Sequence, residues 1–456
     1  MKTISFFLMT LLLLISCEQG GSGSSLTKTP NQQDVQRALD KKFCLENSTN
    51  TPFASGDGTE SNPYKICTIS HFNEISASNS YLDKSFELFS NLDFSNSIID
   101  LIGANPGGFS GDFDGRNYKL SNVNISESGV HYVGVFRRIE ASAVVKNLIL
   151  DNITVVGANY TAALVGYSAG TIDNVQASGS VQGGSNTGGL VGRVWVGSAV
   201  LGVYNSTSTV TVNGGQWTGG LVGWSRGATY DGNSSSGDVT GSNRTGGLIG
   251  VADGSTIVKN SFATGDVHAP SFIVGGLIGG IASGTIENCY STGAVTSNDS
   301  WIGGLVGTLD GTVTKSYSTS SVTTPGDSVG GIAGYLYPNG GISNSYYAGA
   351  INANDYVGGI VGYTDGSPIT HSFSTATITA NTAGGIQGGS TGAVSATSFW
   401  DTDTSGVSGD FIDDMVTTST DQARTTVQMK SASMYNSAGY DNTIWEITDG
   451  SYPTLK

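Results

Sequence analysis

Short apolar segments flanked by glycine recur along the chain at a nearly constant spacing. The pattern Gly-Gly-Leu-Val-Gly occupies Gly188–Gly192 and Gly219–Gly223, and related segments follow one another with an average period of about 28 residues. A fixed period in this range is the signature of an architecture built from stacked repeats. The segments begin at residues 133, 162, 188, 219, 246, 275, 303, 330, 358 and 384.

One repeat contains several short β-prone runs and no segment long enough for a stable helix. In the repeat that begins at Gly275, such runs lie near 276–279, 285–291 and 294–296, and each is bounded by Gly, Ser or Asn. Three strands per turn indicate a parallel β-helix, in which each strand pairs with its equivalent one turn further on. Because parallel crossovers are overwhelmingly right-handed, we predict an all-β fold, a right-handed parallel β-helix of about ten repeats with a cap at each end.

Stacked turns place equivalent residues in columns, and one column is aliphatic. This column is predicted to lie in the interior of the coil. The glycines beside it would permit a positive φ or a close approach of two backbones at a corner. The members of this column are Leu164, Leu190, Leu221, Leu248, Leu277, Leu305, Ile332, Ile360 and Ile386.

A polar column lies further along the repeat. Asn260, Asn288 and Asn344 share one repeat position with His371. Stacked Asn side chains at a bend can hydrogen-bond with one another and with the backbone of the turn. We therefore interpret His371 as a member of this ladder and not as a catalytic residue.

Two further columns follow the asparagines. The first holds serine in most repeats and Cys289 in one, which indicates a small buried thiol and not a nucleophile. The second is aromatic, and rings stacked one turn apart would stabilise a solenoid. The pattern leaves open whether these rings point into the coil or away from it. They are Phe262, Tyr290, Tyr317, Tyr346, Phe373 and Phe399.

Large aromatic residues also flank the Gly-Gly-Leu-Val-Gly strand, two positions before it and immediately after it. Other repeats place polar residues such as Asn186, Arg193 and Arg244 at these positions, so both columns are expected to face solvent. Exposed rings on a surface of low charge suit stacking on sugars or on protein side chains. The alternative is that the rings only shield the strand corners. The predicted ligand-binding residues are Tyr160, Tyr167, Trp217, Trp224, Trp301, Tyr335, Tyr356 and Tyr363.

The N-terminal segment has the pattern of an export signal. Its apolar run, Ile4–Ile15, has the length of a signal-peptide core and is too short to span a bilayer. Cys17 closes the run in an arrangement that resembles the bacterial lipobox, which implies a lipoprotein signal peptide over residues 1–16 and lipidation of Cys17. Residues 17–30, rich in Gly and Ser, would form a flexible tether. We expect membrane attachment through this lipid anchor in the bacterial cell envelope, as an outer-membrane lipoprotein that reaches the cell surface or faces the periplasm.

The regions on either side of the repeats, which span residues 133–404, are predicted to cap the open ends of the coil. Residues 31–132 combine a short helical pattern with starting turns, and residues 405–456 supply a helix candidate and an apolar cluster. Open strand edges invite edge-to-edge association, so a solenoid needs such caps. Cys44 and Cys67 lie in the N-terminal region, and in an exported chain they either form a disulfide or remain separate thiols.

Composition narrows the function classes. The 67 glycines of the 456-residue chain would be typical of disorder, but the evenly spaced aliphatic residues favour a folded solenoid. Charged residues make up 12%, the formal net charge is −16, and no basic cluster is present. We therefore expect no nucleic-acid partner.

No catalytic constellation is recognisable in the sequence. The motif His-Glu-x-x-His is missing, and the histidines, at 71, 131, 268 and 371, lack the spacing of a metal site. Asp238 and Asp266 share a repeat phase, but no basic residue repeats beside them, so turn formation explains them. We expect no catalytic residue, no metal and no cofactor.

The remaining acidic residues are also interpreted as turn formers. Asp253, Asp310 and Asp365 share a column, and each precedes a glycine. Calcium binding at Asp401 and Asp403 has little support, because the Gly- and Asp-rich nonapeptide array of calcium-binding β-helices is missing.

The Gly-Gly-Leu-Val-Gly core, followed by Thr-Ile-x-Asn-Ser-Tyr-Ser-Thr-Gly, is similar to the GLUG repeat of bacterial surface proteins. The resemblance covers residues 133–404 densely. Such repeats occur in adhesin-like proteins and beside the protease domain of some immunoglobulin-cleaving enzymes. The resemblance therefore implies a surface protein of this shape and says little about its ligand.

The sequence thus predicts a non-enzymatic binding or adhesion protein for a glycan or a cell-surface protein. The alternative is a carbohydrate-active enzyme, a polysaccharide lyase or hydrolase on a β-helix scaffold, which would need carboxylates on adjacent turns. An ice-binding surface would need flat Thr columns, and the threonines here are too irregular.

Overall fold

The computed structural model describes residues 31–103, 107–197, 201–390, 397–407, 409 and 422–456. The predicted signal peptide, Cys17 and the rest of the tether lie outside these residues. The chain divides into two compact units, Met1–Phe43 and Cys44–Lys456. The described part of the first unit contains most of helix α1 (Gln32–Asn47), whose first turn is capped by Asn31 through a 2.9 Å hydrogen bond from the Asp34 backbone N–H to Asn31 Oδ1. No helix among the described residues has the length and apolarity needed to cross a membrane.

The second unit contains a parallel β-solenoid of about eleven turns, and strands account for 47% of the residues that the structure describes. Each strand pairs in parallel with its equivalent in the next turn, so that Val222 pairs with Ile249 and Ile249 pairs with Ile278. Every backbone N–H and C=O along such a column finds a partner one turn away. The predicted all-β parallel β-helix is confirmed.

Each turn is built from up to five short faces and not from three strands. In the turn that begins at Val274, the strands are Val274–Gly275, Ile278–Glu287, Tyr290–Ser291 and Val295–Ser297. The segment between the first two predicted runs, residues 280–284, belongs to a single strand that bends at Ser283, whose φ is +57°. The sequence analysis was wrong here because Gly and Ser permit an extended strand with a sharp bend as readily as a loop.

We number the faces in chain order, starting after the Gly-Gly-Leu corner. The strands of face 1, three of which continue into face 2, are Phe136–Ile139, Val165–Ser168, Val191–Trp195, Val222–Arg226, Ile249–Lys259, Ile278–Glu287, Val306–Thr314, Ala333–Leu336, Val361–Thr364 and Gln387–Ser390. The other strands of face 2, several of which continue into later faces, are Tyr64–Ile66, Phe86–Leu88, Asp112–Ser121, Val144–Val156, Thr171–Gln182, Gly202–Tyr204, Thr229–Asp231, Gly341–Ser343 and Ile369–Thr370.

The remaining faces complete each turn. Face 3 contains Leu92–Asp93, Thr207–Asn213, Ser234–Ser235, Phe262–Ala263, Tyr290–Ser291, Tyr317–Ser318, Tyr346–Tyr347, Phe373–Ser374, Phe399–Asp401 and Ala423–Arg424. Face 4 contains Asn124–Ser126, Val239–Thr240, Val267–Ala269, Val295–Ser297, Val322–Thr323, Ala350–Asn352 and Thr377–Thr379. Face 5 contains Thr187–Gly188, Gln216–Gly219, Asn243–Gly246, Val274–Gly275, Ile302–Gly303, Val329–Gly330, Val357–Gly358 and Ala383–Gly384.

The predicted aliphatic column forms the centre of the core. All nine of its residues, from Leu164 to Ile386, have no solvent exposure. The glycines beside them are required by close approach and not by a positive φ. A Cβ on Gly189 would lie 2.1 Å from the carbonyl oxygen of Gly220, so any side chain there would separate two neighbouring turns.

The asparagine column occupies a bend in the left-handed backbone region. Asn260 and Asn288 have φ values of +50° and +53°, and His371 has +47°. Asn tolerates this conformation better than most residues, which explains the column. The ladder also forms as predicted, because Asn288 Nδ2 donates to Asn260 Oδ1 over 2.7 Å.

The serine column joins successive turns inside the coil. The Ser316 and Ser345 hydroxyls each accept a hydrogen bond from the backbone N–H of the preceding turn, at 3.1 and 3.2 Å. Cys289 is 1% exposed, and its Sγ donates to the carbonyl oxygen of Glu287 over 3.2 Å. Burial raises the pKa of the Cys289 thiol to about 12, which agrees with a structural role.

The aromatic ladder, defined as Phe262, Tyr290, Tyr317, Tyr346, Phe373 and Phe399, lies outside the main core of the coil. The residues on either side of Tyr290 are buried whereas Tyr290 is half-buried, so its ring points away from the coil. Centroids of successive rings from Phe262 to Phe373 are 4.7 to 5.1 Å apart, with planes within 9° of parallel. The rings of the ladder therefore point away from the coil, which the sequence alone left open.

The C-terminal tail covers the end of this ladder. It contains helices α4 (Thr426–Met429) and α5 (Ala432–Ser437) and an antiparallel strand pair, Trp445–Glu446 with Thr454–Leu455. Trp445 is fully buried against the ladder residues Tyr346 and Phe373, with ring centroids 6.2 and 5.7 Å away. The tail thus packs against the side of the last turns, whereas the sequence analysis expected it over the open end.

Trp400 fills the interior of the last turns. It pairs with Ser374 of the preceding turn and is fully buried in the main core. The neighbouring Asp401, expected only as a weak calcium ligand, is also fully buried and caps helix α3 (Thr402–Ser405). Its carboxylate also accepts hydrogen bonds from Thr426 Oγ1 at 2.8 Å and from the Tyr452 hydroxyl at 2.6 Å. These donors account for the burial of the carboxylate without a metal ion.

The N-terminal region of the solenoid contains a helix that the sequence analysis missed. Helix α2 (Ile69–Ala77) begins at the N-cap Thr68 and buries Phe72 and Ile75 in the main core. Cys44 and Cys67 form a disulfide with a Cα–Cα distance of 5.3 Å. The bond links the end of α1 to the first turn of the solenoid.

Candidate functional site

The eight predicted aromatic residues, which we call the aromatic strip, lie where face 5 meets face 1. All eight are half-buried, so they are neither core residues nor freely exposed side chains. Four stand at the corner before face 5 or on its strands, namely Tyr160, Trp217, Trp301 and Tyr356. The other four point outward from the strands of face 1, namely Tyr167, Trp224, Tyr335 and Tyr363.

The corner residues of the strip adopt an unusual backbone conformation. Their φ values lie between +56° and +65°, and Asn186 and Arg244 have the same conformation in their own turns. This left-handed region favours Gly and Asn, and bulky residues occupy it only at an energetic cost. The repeat therefore needs a positive φ at this corner, and the sequence nevertheless places Trp or Tyr there.

The outward column of face 1 is in register from turn to turn. Tyr167 pairs with Arg193 and Arg193 with Trp224, and the column continues through Val251, where it loses its large side chains. In chain order the column reads Tyr167, Arg193, Trp224, Val251, Gly280, Thr308, Tyr335 and Tyr363.

The strip is therefore divided into two groups of rings. In the N-terminal group, the Trp217 and Trp224 rings are 6.2 Å apart and inclined by 29°. In the C-terminal group, Tyr335 lies 5.6 Å from Tyr363 and 6.1 Å from Trp301. The Tyr335 hydroxyl donates to Asp365 Oδ2 over 2.7 Å, which fixes this ring. The structure brings the predicted residues together in these two groups and not in one continuous stack.

Sequence reasoning missed several rings that extend the strip. Tyr132 stacks on Tyr160 at 4.6 Å, and it belongs to the corner column because Val133 pairs with Thr161. Starting the weak first repeat one residue later, at residue 134, would have found it. Trp195 and Tyr337 stand two residues after the outward column of face 1, and the period-two alternation of a strand would have indicated both.

A cleft of 600 Å³ lies between the two groups of rings. It forms where the outward column holds Val251 and Gly280, because neither residue fills the space that a ring occupies in other turns. Trp217 and Trp224 line one side, and Tyr337 lines the other. This volume lies within the range of small-molecule sites, and it contains polar groups as well as rings.

Four charged side chains line the cleft, namely Arg193, Arg244, Asp253 and Asp310. Burial raises the pKa of the Asp253 carboxyl above its ordinary value, and the positive charge of Arg226, whose Nε lies 3.9 Å from Asp253 Oδ1, opposes that rise. Asp253 and Asp310 share a column two turns apart, with Ala282 between them. The column of acidic residues is thus present, and two of its members face the cleft.

The other candidate residues have structural partners. Asp238 and Asp266 accept hydrogen bonds from backbone N–H groups of the following turn, at 3.1 and 2.8 Å, as expected for turn formers. His71 is buried beside the N-terminal disulfide, and its Nε2 lies 2.8 Å from the carbonyl oxygen of Asn50. Within the described ranges, no group of three or more His, Cys, Asp or Glu side chains has the arrangement of a metal site.

Comparisons with known proteins agree with the repeat pattern. The model of the GLUG motif matches residues 271–296 and 353–379. The chain is 31% identical to Halomucin of Haloquadratum walsbyi over 183 residues, and 33% identical over 339 residues to a protein of Evansella cellulosilytica that is named as a candidate Gly-rich membrane protein. These alignments cover 38% and 56% of this chain.

The chain spans only 2% and 38% of the length of these two relatives. Among solved structures, a candidate immunoglobulin A1 protease of Bacteroides ovatus is similar, with a TM-score of 0.40 and 17% sequence identity. The similarity covers 89% of this chain and 95% of that one.

Proposed function

Since this chain is a GLUG-repeat protein, we propose that it is a non-enzymatic binding protein of the cell envelope, which recognises a glycan or a cell-surface protein through the aromatic strip. The observation that carries the proposal is the concentration of half-buried rings on one edge of the solenoid, beside a cleft of 600 Å³. Rings held in this way offer stacking surfaces to sugars or to protein side chains.

The corner conformation strengthens this argument. A bulky residue in the left-handed region costs about 1–2 kcal/mol. Trp217, Trp301 and Tyr356 incur this cost at a position that Asn186 occupies without difficulty in its own turn. Residues in strained conformations are concentrated at binding and catalytic sites, so the rings fit a recognition role better than a purely structural one.

The test replaces Trp217, Trp224, Trp301 and Tyr356 with Ala in the full chain and measures binding to glycan arrays and to whole cells. Each aromatic contact with a ligand is worth about 0.5–1.5 kcal/mol, so losing four should weaken binding by about a hundredfold or more. Each single-ring variant should lose only about 0.5–1.5 kcal/mol of stability, the contribution of one aromatic contact, so the quadruple variant should still fold.

Leu277→Ala provides the matched control. It removes a fully buried side chain and should lower the free energy of unfolding by about 2–5 kcal/mol, with unchanged binding at temperatures where the variant is folded. If the folded quadruple variant binds normally, or if a single-ring variant such as Trp301→Ala is destabilised as strongly as Leu277→Ala, the strip is not a recognition surface.

A polysaccharide-degrading enzyme is the second candidate, because Asp253 and Asp310 line the cleft and burial raises the pKa of Asp253. A carboxyl group that remains protonated to a higher pH is the usual general acid of a glycoside hydrolase. Release of reducing ends from polysaccharides by the full chain, abolished in Asp253→Asn, would favour this candidate over simple binding.

An envelope location is supported by the name of the Evansella relative, which describes a membrane protein. The proposal adds that lipidated Cys17 anchors the chain to a bacterial membrane, as an outer-membrane lipoprotein. Cys17→Ala should then release the chain from the membrane fraction. A variant that still sediments with membranes after a carbonate wash would contradict the anchor.

A further inference from the structure

The cleft between the two groups of rings is lined by two arginines, Arg193 and Arg244, that form no direct ion pair among the described residues. On the neighbouring part of face 1, Arg138 pairs with Glu140 and Arg226 lies near Asp253. In contrast, no carboxylate among the described residues forms an ion pair with Arg193 or Arg244, although the chain as a whole is strongly acidic. The cleft therefore presents two guanidinium groups without a carboxylate in direct ion-pair contact, although Asp253, which interacts with Arg193 through space, and Asp310 line the same cleft.

The guanidinium group of Arg193 is held by the rings around it. Its Cζ lies 4.0 Å from the ring centroid of Trp224 and 4.5 Å from that of Trp195, and Tyr160 and Tyr167 are each 5.7 Å away. Stacking occupies the faces of a guanidinium and leaves its N–H donors directed along the plane. A planar set of donors held in place is the arrangement that binds a carboxylate through two hydrogen bonds.

Several buried polar atoms at the cleft have no hydrogen-bond partner among the described residues. They are Asn186 Oδ1, Arg193 Nε and Asp253 Oδ1, and Asn186 is only 2% exposed. Buried polar atoms are nearly always hydrogen-bonded, so unpaired donors and acceptors around one cleft indicate a site that a polar ligand completes. The set contains both a donor for an anion and acceptors for hydroxyl groups.

We propose that this cleft binds an acidic sugar residue of a glycan, a pyranose ring that carries a carboxylate. This inference rests on the proposed function and specifies its ligand. Arg193 binds the carboxylate, and Arg244 adds a second positive charge. Trp217 offers its ring for stacking, while Asp253 and Asn186 accept hydrogen bonds from the sugar hydroxyls. A neutral sugar would leave both guanidinium groups without a directly bound carboxylate.

The test compares an oligogalacturonide with the same oligosaccharide after chemical reduction of its carboxyl groups, using calorimetry on the full chain at low salt. The acidic form should bind at least about tenfold more tightly, because a desolvated Arg–carboxylate contact is worth more than one factor of ten. Alginate and hyaluronate fragments, each paired with its reduced form, extend the comparison to other uronic acids. Raising the salt concentration should weaken only the acidic ligands.

Variants then assign the effect to the arginines. Arg193→Gln and Arg244→Gln should each reduce the affinity for the acidic ligand by about tenfold or more and leave the reduced ligand unaffected. Arg193→Lys keeps the charge without the planar donors. Its affinity for the acidic ligand should lie between that of the unmodified protein and that of Arg193→Gln. Lys259→Gln, which removes a positive charge that is paired with Asp231, is the matched control and should bind as the unmodified protein does. Thermal melts identify any variant whose fold is damaged. Arg244 makes no aromatic stack among the described contacts, so Arg244→Gln tests the charge even if Arg193→Gln disturbs the packing of the rings.

Equal affinity for the acidic and reduced ligands, normal binding of the acidic ligand by both Gln variants, or failure of every acidic oligosaccharide to bind would overturn the inference. The proposed function has a separate criterion. Binding of a neutral glycan that depends on the rings but not on the arginines would overturn only the acidic-sugar inference, whereas binding that survives loss of the rings would overturn the proposed function itself.

Discussion

Two sets of aromatic residues run along the same solenoid, and they differ in almost every respect. In the aromatic ladder of face 3, successive rings are nearly parallel, with centroids 4.7 to 5.1 Å apart, and the tail covers the end of the stack. In the aromatic strip, ring pairs are inclined by between 20° and 83° and spaced by 5.6 to 6.2 Å, and Arg193, Val251 and Gly280 interrupt them.

The difference separates a structural column from the proposed recognition surface. In the ladder, each ring from Phe262 to Tyr346 stacks on the ring of the next turn, and backbone geometry and side-chain packing favour the same residues. In the strip, the corner backbone favours Asn or Gly, and yet Trp and Tyr occupy it. A natural sequence that contradicts a local preference usually does so at a functional site.

The largest difference in lost stability is expected between the substitutions of two tryptophans, one that contacts the ladder and one in the strip. Trp445→Ala removes a fully buried ring that contacts the ladder and Tyr440, and it should lower the free energy of unfolding of the tail by about 3–5 kcal/mol. Trp301→Ala removes a half-buried ring of the strip and should cost about 1 kcal/mol. Hydrogen exchange of the tail and urea unfolding measure both. Similar destabilisation by the two variants would mean that the strip is as structural as the ladder.

A smaller contrast is expected between two tyrosines. Tyr317 stacks on both Tyr290 and Tyr346, at 5.0 and 4.9 Å, so Tyr317→Ala should cost about 1–3 kcal/mol for the two lost pairs. Tyr356 contacts Tyr363 edge-on at 5.8 Å, so Tyr356→Ala should cost about 0.5–1.5 kcal/mol. Urea unfolding provides the comparison, and Tyr290→Phe, which keeps the stacked ring, serves as the control with little change. A greater loss from Tyr356→Ala than from Tyr317→Ala would reverse the assignment of the two surfaces.

Much of the fold could be predicted because repetition makes columns visible in one sequence. Leu277 and its equivalents recur with the period, and their burial follows directly. Features that occur only once could not be found in this way. Trp400 fills the interior at a position where earlier turns have Ser374 or Tyr347, and helix α2 interrupts the first turns with only Thr68 and a short apolar spacing as signals. The direction of the ladder was hidden because the Asn bend breaks the alternation on which such an inference depends.

For the candidate site, the sequence identified the rings but not the cleft between them. Each column could be read from the repeat phase, which is how Trp217 and Trp224 were found. The cleft forms because Val251 and Gly280 stand where other turns of the column have large side chains. Val and Gly are common throughout this sequence, so these two positions could not be recognised as a site. The role of Arg193 was also hidden, since its four aromatic neighbours come from three different turns.

The smallest expected difference in stability measures the cost of the left-handed backbone conformation at the corner. Trp217→Asn and Trp217→Ala both remove the ring, so the difference between them isolates the cost of the left-handed conformation, φ +61°, at this corner. Asn tolerates that conformation and Ala does not, so Trp217→Asn should be more stable than Trp217→Ala by about 0.5–1 kcal/mol. Urea unfolding of the two variants side by side gives this number with little influence from the lost ring contacts.

The same pair of substitutions in the ladder is the control. Tyr317 is not among the residues with a positive φ, so Tyr317→Asn should gain nothing over Tyr317→Ala and should be the less stable of the two, because Asn is disfavoured in extended strands. If Asn is no better than Ala at residue 217, or is equally better at residue 317, then the corner imposes no cost on its tryptophan. The presence of rings at the corner would then need no functional explanation, and the case for recognition would rest on the cleft and its arginines alone.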